Sequence, residues 1–315
     1  MTKQIAFLFP GQGSQSVGML DSFKSNPSTA SLFATATQEA EQALGQNLGA
    51  LIEQGPAESL NLTSNTQPAM LMADVLVLRA WLAAGGAMPN LVAGHSLGEY
   101  AALVAAGVFS LSEGLGLVRI RAQAMQEAVP VGQGGMAAII GLSDEQVIQA
   151  CAQGSVNGEV AEAVNFNAPS QVVIAGSAQG VKNACEAAKA LGAKRALELP
   201  VSAPFHSSLM KPASVKLATA LSNTNFAPPQ LPVYNNIDVA VESDPARIRD
   251  ALVRQAYGPV RWVETIQAMT AAGTSLFVEC GPGKVLAGLV KRISDVPVIN
   301  IHDPDSIQAA LAAAQ

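Results

Sequence analysis

A chain of 315 residues with 49% hydrophobic and 13% charged side chains can bury a full core and reads as a globular protein, which excludes a disordered or solvating role. Its formal net charge of −6, with Lys and Arg scattered rather than clustered, excludes a concentrated phosphate-binding face, so no nucleic-acid partner is expected. Cys151, Cys185 and Cys280 lie far apart without the spacing of a disulfide framework or zinc site, so a reducing cytoplasm is the expected setting.

The N-terminal Met1-Thr2-Lys3-Gln4 carries one charged side chain, and the apolar run that follows (Ile5 to Phe9) is too short for a signal sequence or a membrane span. That run predicts a buried strand. It stops at Pro10-Gly11-Gln12-Gly13-Ser14-Gln15, and a strand feeding a Gly-rich turn is how α/β folds bring backbone N–H groups to a ligand. The spacing lacks the third glycine of a dinucleotide fingerprint and no Walker lysine follows, so no redox cofactor is expected, and no metal. Helical apolar spacing runs from Ser28 to Ile52 and from Thr66 to Ala84, where Gly85-Gly86 ends it.

Next comes Val92-Ala93-Gly94-His95-Ser96-Leu97-Gly98-Glu99-Tyr100, flanked by an apolar strand-like run (Leu91 to Ala93) and an Ala/Leu/Val-rich helical segment up to Phe109. Gly-x-Ser-x-Gly between a strand and a helix is the layout of a nucleophile elbow. Gly94 and Gly98 remove side chains that would collide in so tight a turn, and Ser96 stands at a helix N-terminus, where free N–H groups favour a developing oxyanion. The Leu97 N–H is the natural first donor. Ser110 to Glu113 predicts a helix start, and Gly114 to Val129 runs on to Pro130. Arg119 and Arg121 on that helix point about 200° apart, so only one of them can share the inward face.

After Pro130 the pattern changes to strand (Met136 to Leu142), capped helix (Ser143 to Gln153), strand (Val160 to Asn167), strand (Gln171 to Gly176), helix (Ser177 to Leu191) and strand (Lys194 to Val201). This β-α-β-β-α-β order predicts a ferredoxin-like subdomain of about 70 residues, 131–202, inserted in a larger α/β body made of 1–130 and 203–315. The body resumes with Pro204-Phe205-His206 and a helix from Ser207 to Leu221. A strand at Leu231 to Asn235 follows, then the stretch Ile248 to Pro259. A strand from Ser275 to Cys280 meets Gly281-Pro282-Gly283, a basic amphipathic helix covers Lys284 to Ile293, and a last strand and helix close the chain.

A serine hydroxyl needs a general base, and three histidines are on offer. His95 adjoins Ser96, and neighbouring side chains in an elbow diverge; His302 lies in an Asp/Pro-rich turn that reads as surface. His206 remains. Of the carboxylates between Ser96 and His206, including Glu99, none sits in a triad motif, so a backbone carbonyl or an amide could orient the imidazole instead.

Phe9-Pro10-Gly11-Gln12-Gly13-Ser14-Gln15, Gly94-His95-Ser96-Leu97-Gly98-Glu99-Tyr100, Asn165-Phe166-Asn167, Pro204-Phe205-His206 and Gly281-Pro282-Gly283 together resemble the motif set of the malonyl-CoA:acyl carrier protein transacylases, in order over essentially the whole chain. The likeness extends to polyketide synthase acyltransferase domains. The resemblance implies an α/β-hydrolase-like large domain with the ferredoxin-like insertion, and ping-pong transfer of malonyl from malonyl-CoA to the pantetheine thiol of an acyl carrier protein. It implies Ser96 as nucleophile, His206 as base, the Gln255 carbonyl orienting the base, and Gln12 and Leu97 N–H groups as oxyanion hole. It also implies Arg121 as the ligand of the malonyl carboxylate, with Arg119 outward, and Asn165 and Phe205 in the substrate pocket.

A planar, permanently charged guanidinium suits a carboxylate, and a bulky Phe205 predicts poor acceptance of an α-methyl branch. Carrier proteins are generally acidic, so Lys182, Lys189, Lys194, Arg195, Lys284, Lys291 and Arg292 are docking candidates. A monomer without bound cofactor or membrane association is expected. The alternatives are a discrete polyketide acyltransferase, a serine thioesterase or hydrolase, which gains nothing from Arg121, and a non-catalytic docking module, for which Ser96 and His206 would be superfluous.

Overall fold

The computed structural model describes residues 3–201 and 203–314; Met1 and Thr2 of the N-terminal stretch, Ser202, with which the inserted segment is read to end, and Gln315 lie outside the described residues. Among the described residues the strands are β1 (Ile5–Phe9), β2 (Leu91–Gly94), β3 (Gly134–Ile140), β4 (Ala161–Ala168), β5 (Gln171–Ser177), β6 (Arg195–Glu198), β7 (Val233–Tyr234), β8 (Leu276–Cys280) and β9 (Val298–Ile301). Five of them form a parallel sheet in the order β7-β2-β1-β8-β9, and the other four an antiparallel sheet in the order β4-β5-β3-β6.

Helices cover both faces of the parallel sheet, which is why β1 is apolar at every position instead of alternating. Successive side chains of a strand point to opposite faces, and β1 divides accordingly. Phe7 and Phe9 enter a core with Trp81, whose ring meets Phe7 edge-on at 5.5 Å, while Ala6 and Leu8 enter a second core with Trp262 and Phe277. The helix Thr63–Ala83 is apolar nearly all round because it lies in the middle of the first core.

The antiparallel sheet carries two helices, Asp144–Gly154 and Ala178–Ala190, on one face, sharing a separate core built on Ile139, Val172 and Ile174. The first of these begins with the Ser143/Gln146 capping box expected from the spacing. Its other face turns Met136, Val173 and Ala175 toward the first core, so the small sheet roofs the large one. The small sheet is tied to the segment before the helix Trp262–Ala271 by Val260 N–H to the Val164 carbonyl (2.8 Å) and Phe166 N–H to the Val260 carbonyl (3.0 Å).

Some boundaries differ from the sequence reading, each for a local reason. The segment from Ser28 to Ile52 is two helices, Ala30–Leu44 and Leu48–Gln54, because Gly45 turns left-handed (φ 63°) and Asn47 caps the second. β3 starts two residues early and stops at Ile140, before Gly141 at φ 98°. The strand expected from Lys194 to Val201 is regular only over β6, with Lys194 and Leu199 N–H groups still bonded to β3, and Leu199 and Val201 line a cavity. The helix Trp262–Ala271 has no counterpart in the sequence reading, although Trp262, Ile266 and Met269 stand at helical spacing on its buried face.

One core residue breaks the apolar rule. Asp74, on the helix Thr63–Ala83, is wholly buried, neither carboxylate oxygen has a partner among the described residues, and burial together with the nearby Glu279 raises its proton affinity well above the usual carboxylate range. Such a group stays protonated in the fold while the unfolded chain ionises above about pH 4. Folding stability therefore falls as pH rises, by up to about 1.4 kcal/mol per pH unit for one proton. Asp74→Asn is expected to raise the melting temperature more at pH 9 than at pH 5.5. Thermal melts of both proteins across that range check it; equal shifts at both ends would reject the protonated carboxyl.

Candidate active site

Ser96 stands between the end of β2 and the helix Gly98–Ala105, at φ 53°, the strained left-handed backbone of an elbow. Glycine is required on either side: a Cβ on Gly94 would stand 1.9 Å from the Gly98 carbonyl, and one on Gly98 2.0 Å from the Phe9 carbonyl oxygen. Two side chains from distant segments fix the turn. Asn236 accepts the Ser96 N–H through Oδ1 (2.7 Å) and donates through Nδ2 to the Gly94 carbonyl (2.7 Å). Gln255 donates through Nε2 to the Ser96 carbonyl (2.8 Å).

His206 reaches the serine from the loop after the small sheet, itself at φ 66°. Its Nε2 lies 2.7 Å from Ser96 Oγ and its Nδ1 2.8 Å from the Gln255 carbonyl oxygen. A carbonyl only accepts, so Nδ1 carries the proton and Nε2 is left as the acceptor of the serine hydroxyl. Burial first, and then the charge of Arg121, pushes the imidazolium down to about 3, so the ring is neutral near physiological pH. Gln12 and Leu97 line the same cavity as this pair, and no hydrogen bond among the described residues uses either N–H. Gly11 lets the first Gly-rich turn close on the elbow, since a Cβ there would stand 2.5 Å from the His95 carbonyl oxygen.

Arg121 is wholly buried with no carboxylate in ion-pairing reach among the described residues. Its Nη1 donates to Gln67 Oε1 (2.9 Å), and its Nη2 to Ser96 Oγ (3.1 Å) and Gln255 Oε1 (3.0 Å). The guanidinium lies over the Tyr100 ring at 5.6 Å, and its Nε has no partner among the described residues. Arg119, two residues earlier, is half-buried and turns away to Gln46, the divergence that helical geometry requires.

The cavity joining these groups has a volume of about 130 Å³. Phe205, Met125, Met136, Val173, Leu199 and Val201 make its apolar wall, and Asn165 lines it with a buried Oδ1 that has no partner among the described residues. A buried cation beside a histidine-bonded serine hydroxyl and an apolar wall offers complementary partners to a small acyl group with a negative end.

His95 makes no hydrogen bond to Ser96 or His206 among the described residues, but it is not idle. Its Nε2 lies 2.7 Å from Asn167 Oδ1, its ring packs edge-on against Trp262 at 5.3 Å, and it lines the cavity. His302 is partly exposed beside Asp303 at 3.4 Å, far in sequence and function from the pair. Arg292, a docking candidate, instead donates to the Pro169 carbonyl (2.6 Å) and to Gln171, clamping the β4–β5 turn to the large body. Asn236, Gln67 and Glu99 were not read as site residues. Asn236 and Gln67 lie in stretches without a motif, and Glu99, though inside the elbow motif, gives no signal of direction in sequence.

Residues 6–301 match the family described as acyl transferase domain. The chain is 54% identical over 310 residues to the malonyl CoA-acyl carrier protein transacylase of Salmonella typhimurium, covering 98% of this chain and 99% of that one. It is 52% identical over 310 residues to the Escherichia coli K12 protein of the same name, with the same coverage. Among solved structures, an acyl-carrier-protein S-malonyltransferase from Burkholderia pseudomallei superposes with a TM-score of 0.95 at 59% identity, covering 99% of this chain and 100% of the other. A type II PKS acyl-carrier protein in complex with its malonyl-transacylase gives a TM-score of 0.95 at 48% identity, covering 99% and 100%. With the elbow, the histidine and the buried arginine in place, the chain belongs to the malonyl CoA-acyl carrier protein transacylase family.

Proposed function

We propose that this enzyme transfers malonyl from malonyl-CoA to the pantetheine thiol of acyl carrier protein, through a malonyl-Ser96 intermediate, in fatty acid synthesis. The observation that carries the reading is Arg121: a wholly buried guanidinium donating to the nucleophile's own oxygen. In this reading Ser96 Oγ attacks the thioester carbonyl while His206 Nε2 takes its proton, and the Leu97 and Gln12 N–H groups receive the oxyanion. The imidazolium then protonates the departing CoA thiolate. In the second half the carrier thiol gives its proton to His206, attacks the acyl-serine, and Ser96 leaves with that proton.

The malonyl carboxylate replaces Ser96 Oγ and Gln255 as partner of Arg121, and the unused Nε leaves room for a two-point contact. A neutral-chain thioesterase would gain nothing from a cation there. The strand order of the small sheet supports a ferredoxin-like insertion, and the strand–Ser96–helix elbow on the parallel sheet supports an α/β-hydrolase-like large domain. Three buried, unpaired cysteines support a reducing compartment, and among the described residues no helix is long and apolar enough to cross a membrane.

Intact-mass spectrometry after brief incubation with malonyl-CoA tests the transfer. The expected result is one malonyl adduct that disappears on adding pantetheinylated carrier protein; steady CoA release without adduct would indicate hydrolysis instead. The Phe205 wall predicts in the same assay that methylmalonyl-CoA acylates at least about tenfold more slowly, a modest value in line with rejecting one methyl group. Equal rates for the two thioesters would remove Phe205 as the discriminating wall.

A further inference from the structure

The imidazole of His206 rests on a neutral carbonyl, yet the reaction makes it a cation in a buried site that already holds Arg121. Among the described residues one carboxylate reaches this cluster by hydrogen bonds. Glu99, wholly enclosed on the helix Gly98–Ala105, accepts from Gln255 Nε2 (3.0 Å) and from the Asn236 N–H (3.0 Å) through the same oxygen. Those two partners are the residues that hold the elbow and the base. Gln255 gives its carbonyl to His206 and its side chain to Arg121 and the Ser96 carbonyl; Asn236 fixes the Ser96 N–H.

We infer that Glu99 is a positioning residue for the transfer reaction, supplying through Gln255 the negative charge that a triad acid would place directly on the histidine. Ionised Glu99, together with the Ser96 carbonyl, fixes which end of the Gln255 amide faces Arg121, since both accept only from the NH₂ end. The same charge offsets the imidazolium that forms when Ser96 gives up its proton, at a separation of one intervening residue. Nothing in the sequence distinguishes this glutamate, because its partners lie 137 and 156 residues away.

The role carries a pH signature. Burial raises the Glu99 carboxyl to about 7, against the opposing effects of its hydrogen bonds and of Arg121. The charged and titratable groups facing it are Arg121 from the helix Leu111–Glu127, Asp238 from the loop after β7, Tyr100 on its own helix, and Glu242, which lines a small cavity with it and is paired with Arg247. An activity that needs ionised Glu99 is full above about 7 and lost as pH falls through it. His206 takes up its proton near 3 in the unliganded site, below that window, and loss of the acid limb in Glu99→Gln is what assigns the limb to Glu99.

The test is single-turnover acylation by malonyl-CoA from about pH 5 to 9, per site titrated with a serine-reactive fluorophosphonate, in wild type and Glu99→Gln. The glutamine keeps an acceptor oxygen for both partners and removes the charge. Expected is a saturating rate about 10- to 100-fold lower, the range seen when a supporting partner is removed from behind a functional side chain, with the half-saturating concentration much less changed. The acid limb of the wild type should vanish with it. A merely structural role would lower the melting temperature and the titrated fraction while leaving the per-site rate and the pH profile unchanged, and that result overturns the inference. Wild type alone gives a second test that needs no folded variant: a rate flat down to about pH 5.5 overturns it equally. The inference rests on the reading of Ser96 and His206 as the transfer centre. Malonylation of wild-type Ser96 examines that reading separately, so a fully active Glu99→Gln removes only the role of Glu99.

Discussion

Ser96→Ala is expected to lower malonyl transfer to the carrier protein by at least about 10⁴-fold and to leave no malonyl adduct, the scale seen when a hydrolase-type nucleophile is deleted. The geometry leaves little room for a substitute. His206 Nε2 has Ser96 Oγ as its acceptor-side partner at 2.7 Å, and the residue before it, His95, is held at 2.7 Å by Asn167 on the other side of the elbow. The helix N-terminus that would stabilise the oxyanion remains, so weak binding of malonyl-CoA should survive while acylation does not. Serine already carries the left-handed φ of 53°, so alanine adds no new backbone strain and the variant is expected to fold. Quenched-flow mass spectrometry measures acylation, and isothermal titration measures binding. A variant transferring within about 100-fold of wild type would show that another group is the nucleophile.

Arg121→Ala is expected to have the next largest effect, on specificity as well as rate. Removing one partner of a buried charged pair costs about 3–5 kcal/mol, which corresponds to a fall in kcat/KM for malonyl-CoA of about 10²- to 10³-fold or more. Acetyl-CoA has no carboxylate to strand in the pocket. Its kcat/KM should therefore fall far less than that for malonyl-CoA, and the ratio of the two should change by at least about 10²-fold. Arg121→Lys tests geometry against charge, because an ammonium cannot reproduce the fork that holds Gln67 through one nitrogen and Gln255 through the other. It should recover only part of the malonyl preference. Equal losses for both thioesters would assign Arg121 to support of Gln255 and the elbow rather than to the carboxylate.

The two effects arise from the same packing. Arg121, Gln255 and Ser96 share hydrogen bonds, so their substitutions are not additive, and Arg121→Ala also releases one contact of the serine oxygen. A double variant with Gln255→Ala is expected to lose less than the sum of the two single losses.

What the sequence determined by itself is local. Gly94 and Gly98 around Ser96 impose the elbow because no side chain fits at either position, and that constraint reads directly from the residue types. The capping boxes at Ser110/Glu113 and Ser143/Gln146, the apolar β1 and the β-α-β-β-α-β order are likewise short-range patterns that the folded chain keeps. Helical geometry alone separated Arg119 from Arg121, though which of them faced the site came from resemblance to a family. Tertiary structure decided the rest. The approach of His206 to Ser96 spans 110 residues, that of Gln255 to Ser96 159, and neither distance has a periodic signal. Asn236, Gln67 and Glu99 act because β7 and three helices meet behind the elbow. Their polar atoms are satisfied by Gly94, Ser96, Arg121 and Gln255 and, between Asn236 and Glu99, by each other, in a burial that no single stretch of sequence specifies.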